Sequence, residues 1–124
     1  MIDILDKFYD VLMSNETIKQ IAENNIKFYE YPAVKEVDSL KIIINPIDSS
    51  TPSDYADNEW LTFDYLIQID VWGLYRKEVE TVANEIRDSL WNEIGFYQIS
   101  GPKGYTDGVF HDARRYRGKF YKDS

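Results

Sequence analysis

Apolar side chains recur at helical spacing near the start of the chain. They lie one and two turns apart on one helix face, at Ile4, Leu5, Phe8, Val11 and Leu12. Asp3 precedes this pattern, where an aspartate N-cap accepts hydrogen bonds from the first turn. Residues 16–23 resume the pattern after Ser14 and Asn15. We therefore expect a helix of about three turns and a shorter second helix, or a single kinked helix.

Strand patterns follow, and the longest of them is at residues 60–72. Residues 26–31 alternate and are aromatic, residues 40–44 are rich in isoleucine, and a proline closes each segment. In 60–72 apolar side chains alternate with mostly polar ones. At about 3.4 Å per residue this strand reaches about 44 Å, more than a small domain is wide. Part of it is therefore expected to project as a hairpin arm or to cross into a neighbouring subunit.

The second half of the chain begins with the strongest amphipathic pattern. Residues 75–94 place Val79, Val82, Ala83, Ile86 and Leu90 on one helix face, and Gly95 follows as a helix stop. A short strand is predicted at 96–100, turns at 101–104 and 107–108, and a final strand at 109–121. Because this last strand has charges on both faces, it is expected at a sheet edge or an interface.

The segment 46–59 is the clearest predicted loop. It has four acidic residues, no basic residue and no periodicity, and loops of this length are functional or disordered. Taken together, the patterns predict an α+β fold in one domain over 1–124. Its central antiparallel or mixed sheet has about four to five strands, flanked by an N-terminal helix and a long amphipathic helix. The predicted order is α-α-β-β-β-α-β-β.

Charge is divided unevenly along the chain. The 124 residues carry 22 acidic and 14 basic side chains, a net charge of −8. Residues 1–102 have a balance of −11 and residues 103–124 a balance of +3. An acidic body does not suit specific binding to nucleic acid, whose phosphates dominate affinity. A basic end facing a neighbour's acidic surface suits self-association.

The composition also narrows the class of protein. There is no cysteine, so a disulfide scaffold and a cysteine-based zinc site are excluded. No apolar run is long enough to span a bilayer, and the first residues lack a signal-peptide pattern. We expect an intracellular protein with no membrane partner.

No catalytic constellation is recognisable. His111 is the single histidine, has no nucleophile motif to serve, and is interpreted as a polar side chain at the start of an edge strand. Asp64 and Asp70 lie roughly 20 Å apart along one strand, too far for a paired-carboxylate site. The acidic residues of 46–59 lack the spacing of a calcium loop. The sequence predicts no enzyme, no metal and no cofactor.

The basic segment 114–119 is open to three interpretations. Arginines could contact phosphates while Tyr116 stacks on bases. The same residue types are enriched in protein interfaces. Charges on an edge strand also protect it from aggregation.

Three blocks of the sequence stand in a distinctive order and spacing. The first is the strand Tyr65-Leu-Ile-Gln-Ile-Asp-Val-Trp72 with the helix carrying Ala83, Ile86, Arg87 and Leu90. The second is the turn Tyr105-Thr-Asp-Gly-Val-Phe-His111. The third is the ending Arg114-Arg-Tyr-Arg-Gly-Lys-Phe120. Together they resemble the small tail-terminator or tail-completion proteins of long, non-contractile-tailed bacteriophages, and the resemblance covers nearly the whole chain.

This resemblance implies a non-enzymatic hexameric ring that caps the head-proximal end of the tail tube. Such a ring stops tail polymerisation and joins the tail to the head connector, so its partners are itself, the tail tube protein and the connector protein. The subunit could remain monomeric in solution. It would be located in the host cytoplasm during assembly and then in the tail or neck of the virion.

Two hypotheses attach residues to this role. A ring closes through two different patches on each subunit, and the expected basic patch consists of Arg114, Arg115, Tyr116, Arg117 and Lys119. An arm or lumen loop carrying Asp48, Asp54, Asp57 and Glu59 would repel DNA phosphates. Alternatives are another neck component, such as an adaptor or stopper, or a small intracellular protein-binding or regulatory domain.

Overall fold

The computed structural model describes residues 3–22, 24–48 and 50–122. Three α-helices and seven strands follow one another in the order α-α-β-β-β-β-α-β-β-β, with a 3₁₀ turn at Val34–Glu36 between the first two strands. The elements are α1 (Ile4–Met13), α2 (Glu16–Ala22), β1 (Ile26–Phe28), β2 (Lys41–Pro46), β3 (Thr51–Ala56), β4 (Glu59–Gly73), α3 (Arg76–Ile94), β5 (Tyr97–Ser100), β6 (Lys103–Thr106) and β7 (Val109–Tyr121).

The seven strands form one mixed sheet with β4 near its centre. Its main order is β1-β2-β4-β7-β5, with β3 beside β4 and β6 beside β7. β1 and β2 are parallel, and the other pairs are antiparallel. The α+β prediction is confirmed, but the sheet has more strands than the four to five expected.

The helices cover one face of this sheet. The core joins apolar residues of all three helices to one alternating set on β4, namely Tyr65, Ile67, Ile69 and Val71. The other alternating set, from Thr62 to Trp72, faces away from this core. Among the described residues no α-helix packs on that second face, so the fold has two layers. The segment after β1 covers the second face at Asp70 and Trp72, and we call the remainder the open sheet surface.

The helix boundaries follow the capping residues in the sequence. Asp3 accepts hydrogen bonds from the backbone N–H groups of Leu5 and Asp6, which confirms it as the N-cap of α1. Asn15 separates α1 from α2, because its side chain accepts from the Ile18 N–H. Gly95 ends α3 with a left-handed φ of 70°. The predicted 75–94 helix is thus observed one residue shorter, at Arg76–Ile94.

The predicted loop 46–59 is wrong over most of its length. Thr51–Ala56 is a strand paired with the first residues of β4, and the two are joined by a tight turn. Both turn residues, Asp57 and Asn58, have positive φ values, as a type I′ hairpin turn requires. The sequence hides this strand because neither of its faces reaches the core, and Pro52 is tolerated because β3 lies at a sheet edge.

The predicted strand 60–72 is confirmed as Glu59–Gly73. Only residues 59–61 extend beyond its pairing with β7, so the expected projection is limited to this short segment, and crossing into a neighbouring subunit stays a prediction. β7 pairs with β4 only from Thr62 onward. The β4 residues before Thr62 therefore extend past β7 with β3 as their strand partner. We call this segment, residues 54–61, the hairpin arm.

β7 matches the predicted range 109–121, but it is not an edge strand. It pairs with β4 over twelve residues on one side and with β5 and β6 on the other. The edge alternative is wrong because the charges that suggested an edge have different explanations on the two faces, while the interface alternative stays a prediction. One face is buried with an internal ion pair, and the other belongs to the open sheet surface.

Candidate interaction surfaces

Arg114 and Tyr116 lie on the helix side of β7, away from the exposed basic residues. They are 6% and 1% exposed. The Arg114 guanidinium donates to both carboxylate oxygens of Asp112, at 2.9 Å and 3.1 Å, and contacts the Gln98 side chain at 3.5 Å. Burial raises the pKa of the Tyr116 hydroxyl. The five-residue patch expected from the sequence is therefore corrected: two of its members are part of the interior of this chain.

Arg115, Arg117 and Lys119 form a basic row on the open sheet surface. All three are exposed. Arg115 donates to the Gln68 side chain at 3.1 Å, and Lys119 forms an ion pair with Asp54 at 3.2 Å. Arg117 has no hydrogen bond or ion pair to any residue that the structure describes. Only the exposed part of the predicted basic patch can contact another molecule.

The four acidic residues expected on an arm or lumen loop have separate environments. Asp48 is exposed in the link before β3, and it lines a cavity of about 580 Å³ together with Asp3. Asp57 is at the hairpin turn. Glu59 begins β4 and pairs with Lys122 at 3.5 Å.

Asp54 is the best-connected of these four acidic residues. It accepts a 2.6 Å hydrogen bond from the Thr62 hydroxyl as well as the contact from Lys119. These hydrogen bonds lower the pKa of the Asp54 carboxyl below its ordinary value. Part of the acidic body thus already pairs with the basic end inside one chain, through Asp54 and Lys119.

The hairpin arm exposes aromatic and apolar side chains. Tyr55 is 70% exposed, Leu61 41% and Trp60 39%, and Tyr121 beside them is 71% exposed. Tyr55 lies opposite Trp60 in the hairpin register. The Lys122 ammonium lies 5.3 Å from the Trp60 ring centre. The sequence pattern indicated a long strand but not this apolar surface, because β3 was not recognised.

A groove lies at the opposite end of the sheet, between the start of α3 and the β6–β7 hairpin. Its volume is about 290 Å³. Val79, Tyr105 and Phe110 line it, with the Tyr105 and Phe110 rings 4.6 Å apart. Arg76 and Lys103 are at its rim. No pattern in the sequence indicated this groove, because its walls come from three separate elements.

Both rim bases share a single acidic partner, Glu80. Arg76 lies 3.4 Å from Glu80 and Lys103 lies 3.6 Å from it. Asp112 also lines the groove, but its carboxylate is held by Arg114. The rim therefore has an excess of positive charge.

His111 lies on the open sheet surface, where it packs against another residue of this chain, and not at a sheet edge. Its ring stacks on Trp72 with centroids 4.5 Å apart and an interplanar angle of 12°. Next to this pair, Asp70 accepts hydrogen bonds from Gln68 at 2.7 Å and from the Tyr31 hydroxyl at 3.4 Å. Burial raises the pKa of the Asp70 carboxyl. These contacts anchor the segment after β1 onto the sheet.

The described residues offer neither a metal-ligand cluster nor a membrane-spanning helix. Within residues 3–22, 24–48 and 50–122, no group of three or more histidine, aspartate or glutamate side chains is arranged to hold a metal ion. No helix in the same ranges is both long and apolar enough to cross a bilayer.

Comparison with solved structures shows that this fold occurs elsewhere. One match is a chain of the virion of a native gene transfer agent particle, with a TM-score of 0.65 and 9% sequence identity. It covers 92% of this chain and 91% of the other. A second solved structure, which bears a sequence identifier rather than a descriptive name, matches with a TM-score of 0.53 and 14% identity over 96% and 90% of the two chains.

Sequence comparison identifies no relative. No protein-family profile matches the chain, and no curated protein matches it. At identities of 9% and 14% the structural matches show a shared fold.

Proposed function

We propose that this chain is a structural subunit of a phage-like virion, and more specifically a tail-terminator ring subunit. In this role it caps the head-proximal end of the tail tube, stops tube polymerisation and joins the tail to the head connector. The observation that carries the proposal is the match, along nearly the full length of both chains, to a component of a virion particle. The sequence blocks at 65–72, 105–111 and 114–120 supply the more specific part.

The surfaces of the molecule are compatible with this role. A closed ring needs two different patches on each subunit, and this chain has an exposed basic row on one sheet face and an acidic body. In the proposal, Arg115 and Arg117 contact a neighbouring subunit, with Lys119 contributing once it is released from Asp54. Of the four acidic residues expected to repel DNA phosphates, Asp54 and Glu59 are already paired with Lys119 and Lys122. In the proposal, the exposed Asp48 keeps the phosphates from adhering.

The test is genetic and microscopic. Deleting the gene from the phage or prophage that encodes it should give free tails of uncontrolled length, seen by electron microscopy of the lysate. Complementation with the parent gene should restore tails of uniform length. Mass spectrometry of purified particles should find the chain in the tail fraction.

The same experiment separates the alternatives. Free tails of normal length beside filled heads would reject a terminator and favour an adaptor or stopper in the neck. Absence of the chain from particles, with normal particles in the deletion, would reject a virion role altogether. Salt-dependent DNA binding at moderate ionic strength would favour a regulatory nucleic-acid-binding domain.

A further inference from the structure

The two ends of the long central strand have complementary surfaces. At one end is the hairpin arm, with its exposed aromatic side chains. At the other is the groove between α3 and the β6–β7 hairpin. From Trp60 to Gly73 the strand spans about 44 Å at about 3.4 Å per residue. The arm of a subunit is therefore too far from its own groove to enter it.

We propose that the hairpin arm of each subunit docks into the groove of a second copy of this chain. This inference rests on the proposed ring and specifies one of its joints. The occupant is an aromatic hairpin with an acidic turn, and the receptor is an apolar groove with a basic rim. Each copy offers one arm and one groove.

Apolar complementarity supports this occupant. The arm exposes Tyr55, Trp60 and Leu61, and the groove offers Val79 and the paired rings of Tyr105 and Phe110. Aromatic anchors that enter an apolar pocket dominate the energy of protein interfaces. Tyr55 and Trp60 are cross-strand partners and form one exposed aromatic patch, which is the kind of surface that indicates an interaction site.

Charge complementarity supports it independently. Asp57 lies at the turn of the arm and has no ion-pair partner among the residues that the structure describes. Lys119 and Lys122 lie behind the turn and are already paired with Asp54 and Glu59. The rim of the groove has two basic side chains sharing one glutamate. The leading charge of the arm is therefore opposite to the charge that it would meet.

The larger cavity near α1 is a poorer receptor for the same arm. It is lined by Asp3 and Asp48. A turn that carries Asp57 would meet like charge there, whereas the groove rim presents Arg76 and Lys103. Of these two cavities, the charge distribution favours the groove.

Disulfide trapping tests the proposal cleanly, because the natural chain has no cysteine. The double variant Tyr55→Cys/Tyr105→Cys has one thiol on the arm and one beside the groove. Both tyrosines are largely exposed, so their replacement leaves the core intact. Under mild oxidation at high protein concentration we expect a ladder of covalent trimers and larger species on a non-reducing gel. Each single variant can give only dimers.

The control pair is Trp91→Cys/Tyr105→Cys, because Trp91 is comparably exposed but lies on α3, away from the arm. Adding Asp57→Asn/Trp60→Ala to the trapping pair should reduce the ladder about tenfold, as the loss of an interface anchor does. Circular dichroism checks that each variant is folded.

Two outcomes would overturn the docking proposal. One is a trapping pair that yields only monomers and dimers. The other is a control pair that gives an equal ladder. If the ladder is absent but the chain is found in purified particles, the docking is wrong and the virion role stands. If the ladder forms but particles lack the chain, the docking stands without the virion role.

Discussion

At the scale of single residues, Gly118 is required by the packing of an aromatic ring. A Cβ placed there would lie 2.3 Å from the Phe96 ring, which is completely buried. We expect Gly118→Ala to lower the free energy of unfolding by about 1–3 kcal/mol, as overpacking does. Urea unfolding measures this. Gly104→Ala is the control, because its Cβ would meet no atom within 4 Å; an equal loss there would contradict the packing explanation.

Arg114 and Arg117 lie three residues apart on one strand, and the same substitution should destabilise the fold strongly at Arg114 and hardly at all at Arg117. Arg114→Leu leaves Asp112 buried without its guanidinium partner, and breaking a buried ion pair costs about 3–5 kcal/mol. Arg117→Leu removes an exposed side chain and should change stability by less than about 0.5 kcal/mol. Thermal unfolding compares them. The double variant Asp112→Leu/Arg114→Leu should recover part of the loss, and no recovery would argue against an unpaired buried charge as its cause.

Asp70 and Asp54 should give pH dependences of opposite sign. Burial raises the pKa of Asp70, so its charged form is penalised in the folded state and stability falls as pH rises from the ordinary carboxyl value of 3.8 through the raised value. The stability of the Asp70→Asn variant relative to the parent should therefore increase as pH rises through this range. Hydrogen bonds lower the pKa of Asp54, so its stabilising effect is lost as pH falls through the lowered value.

Urea unfolding of both variants between acid and neutral pH measures these slopes. Asp54→Asn should lower the free energy of unfolding at neutral pH and leave it nearly unchanged at acid pH. Parallel curves for Asp70→Asn and Asp54→Asn would show that the two carboxyls do not differ in the way their contacts indicate.

At the scale of elements, the hairpin arm depends on its two-residue turn. Asn58 has a φ of 66°, which glycine adopts without strain and a β-branched residue resists. Asn58→Gly should leave the arm intact or slow amide exchange in β3. Asn58→Val should destabilise it by about 1–2 kcal/mol. Hydrogen exchange measures the protection of the β3 amides separately from that of the core. The α3 amides are the control, because their exchange should not change.

At the scale of the whole molecule, substitutions on the open sheet surface should impair assembly without impairing folding. Arg115→Glu/Arg117→Glu should leave the unfolding midpoint nearly unchanged, because both side chains are exposed. The same double variant should fail to restore tails of uniform length in the deletion strain. The matched control is Lys19→Glu, an exposed charge reversal on α2 that alters neither this sheet face nor the groove. Full complementation by the double variant would show that Arg115 and Arg117 are not part of the proposed interface.

Prediction from the sequence succeeded where an element buries one face. The bounds of β7 were correct, and those of α3 and β4 were correct to within one residue at either end, since their apolar positions meet the same core. Prediction failed for β3 and β6, whose residues are mostly exposed and give no periodic signal. For the candidate site, the alternation in 114–119 was seen, but which face pointed inward was not.

The sequence by itself determined the α+β class, the capped helices and the division of charge, because periodicity and capping are local properties of the chain. Only the tertiary structure decided which charges remain available to a partner. Pairing β7 between β4 and its neighbours turned Arg114 and Tyr116 inward and left Arg115 and Arg117 outside. Folding the acidic segment onto β4 created the hairpin arm and placed Asp54 against Lys119. The β4–β7 pairing and the Asp54–Lys119 contact join residues far apart in the chain, and no local pattern specifies them. The β3–β4 hairpin is local, but β3 buries neither face and so leaves no periodic signal.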